Sequence, residues 1–136
     1  MDKQKVAVLD VLARFTHRAT WAKVSEGKTI HYGSRIIETS YRARAHASRL
    51  VWFGLAEHGD KRSGNYRVTE NGLLFLQGRI SVPVLIYCKD GEVIEMSKDR
   101  VFLRDIKGVV LDKAYWDSYA LFQKHEEPPN QSKFGF

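Results

Sequence analysis

The sequence predicts a mixed α+β fold: a three-helix core carrying a basic β-hairpin, then a small antiparallel sheet and a final helix. Three observations lead there. Apolar residues recur at helical spacing over residues 3–15 and again over 41–53. Short β-rich segments flank turn-rich loops at 55–69 and at 82–96. The net charge of +6 is also unevenly placed: residues 17–67 hold ten Lys/Arg against four Asp/Glu, while the flanking segments are close to neutral.

A chain of 136 residues is one domain, or one small domain with an appendage. The expected division is a core unit at 1–78, a small sheet plus helix at 79–125, and a flexible tail at 126–136. The apolar share of 43% supports a core, and no apolar run approaches the roughly 18 residues of a membrane span. The first fifteen residues alternate charge with aliphatics, unlike a signal peptide. Cys88 is the only cysteine, which excludes an internal disulfide and a multi-cysteine zinc site and fits a reducing cytoplasm.

Asp2 is placed to cap a first helix running to about Phe15, with Val6, Leu9, Leu12 and Ala13 at helical spacing and Val8, Val11 and Phe15 widening the stripe. Thr20 could cap a short turn through Val24 that Gly27 ends, with Trp21 as a core anchor. Thr29 to Tyr32 has β-like composition and reads as a short strand. Gly33 and Ser34 then restart a helix at Arg35, with Ile36 and Ile37 as its apolar contacts. Two readings follow. Either Ser34–Thr39 is a second helix and Ser40 caps a third, or one helix runs from Ser34 to Phe53. The first is preferred, because Thr39 and Ser40 are good capping residues and poor helix interior.

From Tyr41 to Phe53, Ala43, Ala47, Leu50 and Val51 share an inward face. Arg42, Ala45, Ser48, Arg49 and Trp52 project from the other side, with Arg44 and His46 on the flanks. A major groove accepts a helix whose outward residues are small or donate hydrogen bonds, and the arginine fork binds guanine or phosphate through two bonds. The plain alternative is that these arginines are surface helix formers. Gly54 stops the helix, Leu55 to Glu57 and Tyr66 to Thr69 are the strands of a hairpin, and Lys61 and Arg62 give its tip positive charge. Thr69 caps a further helix with Leu73, Leu74 and Leu76 as apolar positions, ended by Gly78.

Arg49-Leu50-Val51, then Gly54-Leu55, then Tyr66 to Gly72 and Leu76, resembles the helix–wing–exit signature of winged helix-turn-helix transcription regulators. The likeness covers residues 40–78 and extends more loosely from residue 3. It implies a winged helix-turn-helix, with a three-helix core plus β-wing, whose third helix enters the major groove while the wing touches the backbone or minor groove. A narrower likeness, on Tyr66-Arg67-Val68-Thr69, Gly72, Phe75-Leu76, Gly78 and Pro83, is to small phage proteins. The long, glycine-containing loop before the third helix departs from the family pattern.

Beyond Gly78, Val82 to Cys88 is β-branched and aromatic, Asp90-Gly91 is a hairpin signal, and Glu92 to Met96 reads as the returning strand. Val101 to Leu103 adds a third strand and Ile106 to Leu111 an extension. So small a sheet needs a covering surface, expected from a last helix at Asp112 to about His125. Tyr115, Tyr119 and Phe122 form an aromatic stripe there, beside Trp116, and read as core or as a dimer contact. The apolar end Phe134-Gly135-Phe136 either docks on a partner or is frayed.

No catalytic constellation stands out. The five histidines lack metal-ligand spacing, Gly59 to Gly64 lacks Walker spacing, and Cys88 lies in an apolar strand. The expected protein is a non-enzymatic, cofactor-free, metal-free DNA-binding module acting in transcription regulation or as a phage or mobile-element factor. Arg42, Arg44, His46 and Arg49 would meet bases and phosphates; Lys61, Arg62 and Arg67 would meet the backbone from the wing; Tyr41 and Trp52 would stack or touch a partner. Duplex DNA is favoured, with single strands or RNA and a homodimer also open. The rival is a protein-interaction module, an inhibitor or adaptor in a larger complex, that uses the same basic face.

Overall fold

The structure is a computed structural model and describes residues 1–16, 20–25, 29–32, 35–38, 42–60, 64–112 and 114–117. It is a mixed α+β fold with helices on one side of an antiparallel sheet. Helix α1 (Lys3–Thr16) starts where Asp2 caps it: the carboxylate accepts from the Gln4 and Lys5 N–H groups at 3.1 and 3.0 Å and from the Lys5 ammonium at 2.9 Å. Its apolar stripe is buried at Val6, Val8, Leu9, Leu12 and Ala13. The last residue, Thr16, donates its hydroxyl to the Leu12 carbonyl and accepts from the Val68 N–H, both at 2.8 Å. This buried hydroxyl ties the end of α1 to the sheet.

Strands β1 (Ala22–Val24), β2 (Thr29–Tyr32) and β3 (Arg35–Glu38) come next, then α2 (Ala43–Trp52), the hairpin β4 (Ala56–His58) and β5 (Asn65–Val68), and α3 (Glu70–Leu76). The five strands form one antiparallel sheet in the order β3-β2-β1-β5-β4. Strand alternation turns Ala22, Val24, Ile30, Ala56, Tyr66 and Val68 toward the helices, where all are buried.

The stretch between α1 and α2 overturns several expectations. Residues 22–24 are a strand and not a capped turn, and Trp21 is no core anchor: it is 40% exposed, because Ala22 and Val24 take the inward positions. Residues 35–38 are a strand and not a second helix, since Arg35 to Glu38 pair residue for residue with Tyr32 to Thr29. Neither reading of the 34–53 helix holds. Helix α2 begins at Ala43, its N-cap position is Arg42 in a left-handed conformation (φ 64°, ψ 36°), and no side chain caps it. The β-like reading of 29–32 and the hairpin at 55–69 are both found, with the strands shifted by one residue.

Both glycine stops work in the same way. Gly54 and Gly78 have φ of +77° and +75°, and at each the glycine N–H and the N–H of the following residue donate back to helical carbonyls, Gly54 to Val51 and Leu55 to Leu50, Gly78 to Phe75 and Arg79 to Leu74. Thr69 caps α3 as expected, its hydroxyl accepting from the Gly72 N–H at 3.1 Å.

Beyond α3, Ile80, Val82, Val101, Leu103, Ile106, Val109, Leu111 and Trp116 pack on the core. Strands β6 (Val82–Pro83) and β9 (Arg100–Val101) pair with each other, while β7 (Ile86–Lys89) and β8 (Glu92–Met96) form a separate hairpin. The expected single small sheet is therefore two two-stranded ladders. Leu103–Asp105 is a 3-10 turn in place of a continuing strand, and no strand follows at 106–111. Asp90 and Gly91, at φ of +54° and +81°, make the tight turn of the β7–β8 hairpin.

The last helix is described only over 114–117; Asp112 caps it by accepting from the Tyr115 N–H at 3.1 Å. These four residues pack on α1. Trp116 is fully buried, and its indole N–H donates to Asp10 Oδ1 at 2.7 Å. Tyr119, Phe122, the remainder of that helix and Phe134-Gly135-Phe136 lie outside the described residues. Among the described residues, no helix is long and apolar enough to cross a membrane.

Candidate nucleic-acid interface

Helix α2 presents the residues that the sequence singled out in three different environments. Ala43, Ala47 and Leu50 are buried against α1, as their spacing requires, and Val51 packs at the edge of the same core. Arg42 and Arg49 are exposed. Arg49 lies in the last turn of α2, while Arg42 stands just before the helix at its N-cap in a left-handed conformation, so the two cations mark opposite ends of α2. Ser48 is partly covered and sits 2.9 Å from the Tyr66 hydroxyl, so it braces α2 against β5. Trp52 is half-buried, not fully outward. Arg44 is half-buried as well, and its guanidinium reaches toward Gly64 at the start of β5.

His46 is not on the outer face. It is only 7% exposed, and its Nδ1 is buried without a hydrogen-bond partner. The ring packs toward the start of α1, so it cannot reach a phosphate from there. Burial, followed by the Lys5 charge, holds its pKa below the ordinary range; Asp2 opposes this, and Arg49 and Arg42 add to the depression. Burial alone would raise the neighbouring Asp2 carboxyl, but the hydrogen bonds and charge of Lys5 outweigh that and lower it.

A histidine kept neutral by the fold makes stability depend on pH. Below about 6.5 the unfolded chain takes up a proton that the folded chain resists. His46 thus leaves stability intact above that value and erodes it as pH falls through it. The urea midpoint is expected to drop between pH 7 and pH 5, and His46→Leu should make that drop smaller. An identical pH profile for both proteins would contradict this assignment.

The sheet divides the remaining cations. Tyr66 faces α2, so Arg67, next along an extended strand, points to the opposite, open face of the sheet. There its guanidinium lies 4.3 Å above the Trp21 ring and pairs with Glu57 across the β4–β5 ladder. Lys23 is exposed on that same face, two residues on from Trp21. The fold therefore does not gather Arg42, Arg49 and Arg67 onto one surface. Tyr41, Lys61 and Arg62 lie outside the described residues. Trp21 and Lys23 were missed as surface residues; the strict alternation Trp21-Ala22-Lys23-Val24 was the signal that places them outward.

Elsewhere the structure offers little chemistry. A cavity of about 380 Å³ lies between Leu76, Leu103, Ile106, Leu111 and Trp116, with Gln77, Arg104 and Asp117 adding polar groups to its lining. Among the described residues, no three His, Cys, Asp or Glu side chains are grouped to hold a metal ion. Comparison with protein-family models, with curated proteins and with solved structures finds no match.

Proposed function

We propose that this chain is a nucleic-acid-binding protein of winged helix-turn-helix type, with duplex DNA as its ligand and α2 as the element that enters the major groove. The observation that carries the reading is the pair of exposed cations at the two ends of α2, Arg42 at its N-cap and Arg49 in its last turn, both able to meet bases or phosphates. The order α1, β1, α2, β4–β5 hairpin, α3 supports it, as does the surplus of positive charge over residues 17–67. In the place of a second helix stands the β2–β3 hairpin, so the reading rests on α2 and the β4–β5 hairpin rather than on a helix–turn–helix pair. Lys61 and Arg62, in the connection of that hairpin, supply phosphate contacts. The role is that of a small cytoplasmic regulator or a phage or mobile-element factor, acting by binding and not by catalysis.

Arg42→Ala combined with Arg49→Ala is expected to weaken duplex binding more than tenfold, since a good base contact is worth about 1–3 kcal/mol. Fluorescence anisotropy against a random-sequence duplex pool, at about 50 and 200 mM salt, measures both this loss and the expected salt dependence. Unchanged affinity in the double variant, with its circular dichroism intact, would refute the proposal.

A second reading has its own observation. Trp21 and Arg67 stack on the open sheet face beside Lys23, an arrangement of aromatic and cation that suits the bases and backbone of a single strand. In that case Trp21→Ala weakens binding of a single-stranded oligonucleotide and leaves duplex affinity alone.

A further inference from the structure

The outward face of the five-stranded sheet carries cationic and aromatic side chains that stand in register. Lys23 on β1 lies between His31 on β2 and Asn65 on β5, and Ile36 on β3 lies opposite His31. Ala22, Val24, Ile30, Tyr66 and Val68 are buried toward the helices, so alternation turns Lys23, His31, Asn65 and Arg67 outward. Lys23 and Ile36 are exposed, while His31 and Asn65 are half-buried. The row from Ile36 through His31 and Lys23 to Asn65 crosses the sheet over roughly 14 Å at the usual strand spacing.

Beside that row stands a stacking platform. The Arg67 guanidinium lies 4.3 Å from the centre of the Trp21 ring, and Glu57, opposite Arg67 in the β4–β5 ladder, pairs with it. Trp21 remains 40% exposed, so the guanidinium steadies the indole without covering it. Glu57 balances the charge of Arg67, and Lys23 is left to meet an anion next to the ring.

We infer that this face is a second nucleic-acid site, which takes a single strand while α2 holds a duplex. The platform selects the strand form. A duplex keeps the π-faces of its bases inside the stack, whereas an unstacked strand offers bases to Trp21 and phosphates to Lys23. His31 and Asn65 add ring-nitrogen and amide groups that hydrogen-bond base edges. The two ligands do not compete, because the Tyr66 hydroxyl meets Ser48 of α2 on one side of β5 and Arg67 meets Trp21 on the other. The strand site extends the second reading above, and simultaneous occupancy rests also on α2 as the duplex-binding element. A protein so equipped sits where a duplex opens into a single strand.

The test uses the whole chain in anisotropy titrations with labelled dT and U oligomers of about 12 nucleotides, one arm for DNA and one for RNA. Trp21→Ala should weaken binding about fivefold or more, and Trp21→Phe should restore most of it. Lys23→Gln should lower the slope of log affinity against log salt by roughly 0.7, the value of one phosphate contact on a single strand. Tyr87→Ala, at an exposed aromatic on the β7–β8 hairpin, should change neither. Unlabelled duplex added to the saturated complex should leave the strand bound and raise the anisotropy further. A parent protein that binds neither oligomer, or Trp21→Ala and Lys23→Gln proteins that bind like the parent, overturns the site. Displacement of the strand by the duplex overturns simultaneous occupancy. A duplex that does not bind at all removes the α2 reading and the junction with it, while the strand site is judged by the oligomers alone.

Discussion

Gly72→Ala is expected to destabilise the protein by more than about 3 kcal/mol, although alanine is the better helix former by about 1 kcal/mol. Gly72 sits in the first turn of α3, where the helix lies directly on the chain leaving α2. A Cβ added there would fall within contact distance of the Leu55 carbonyl oxygen and 2.6 Å from Val68 Cγ2. Neither neighbour can move cheaply. The Leu55 carbonyl is held by the Thr69 N–H at 3.1 Å, and the Thr69 hydroxyl donates to the Gly54 carbonyl at 2.6 Å. Val68 is fixed by its ladder with Ala56 and by the bond from its N–H to Thr16. The clash is with backbone pinned from several sides, so relief requires α3 to lift off. Urea unfolding followed by circular dichroism measures the loss. Asn71→Ala, one residue earlier and exposed, is the control and should stay within about 0.5 kcal/mol of the parent. A Gly72→Ala protein as stable as the parent would show that α3 is not seated as described.

Trp116→Ala should cost about 3–5 kcal/mol, a large share of the roughly 5–15 kcal/mol that holds a domain together. Trp116 is the largest fully buried side chain of the structure. Its indole N–H and the Arg14 guanidinium, at 3.2 Å, share Asp10 Oδ1, and Arg14 also lies 4.3 Å above the Tyr115 ring. This cluster fastens residues 112–117 to α1. Leu103, Ile106, Val109 and Leu111 pack against the same core, beside the cavity that Trp116 helps to line. Truncating the indole enlarges that cavity and leaves a half-covered carboxylate with one donor fewer. Trp116→Phe separates the two effects: it keeps most of the apolar volume and loses only the hydrogen bond, at about 1–3 kcal/mol. Differential scanning calorimetry of the three proteins should rank them parent, Phe, Ala. Equal melting temperatures would mean that the C-terminal wrap contributes nothing to the core.

Much of the candidate interface was legible because it depends on neighbours in the chain. The inward set Ala43, Ala47 and Leu50 and the exposed Arg49 follow from one helical period, and α2 obeys it; Arg42 is exposed outside that period, at the left-handed N-cap. His46 shows the limit of that logic. It lies between the inward and outward sides, and whether a flank is covered depends on how closely another helix approaches. Here the start of α1, with Asp2 and Lys5, closes over it. Arg67 shows a second limit. Strand alternation says that it opposes Tyr66, but not which of the two faces the helices will occupy. That was settled by α1 and α2 lying over Tyr66 and Val68, which sent Arg67 to Trp21 on the far side.

The sequence by itself determined the features whose physics is local: the Asp2 and Thr69 caps, the helix stops at Gly54 and Gly78, the Asp90-Gly91 turn, and the two hairpins. Each rests on hydrogen bonds or backbone angles within a few residues. Only the tertiary structure decided the fate of Arg35 to Glu38. Two adjacent isoleucines carry no period, and the pairing with Thr29 to Tyr32 turns a possible helix into an edge strand. It also decided that Trp21 lies outside and His46 inside, and that Trp116 is seated against Asp10 of α1. The reason is the same in each case. Pairing and burial are properties of what packs on a residue, and no period within the segment itself names that partner: β2 for Arg35 to Glu38, Arg67 for Trp21, the start of α1 for His46.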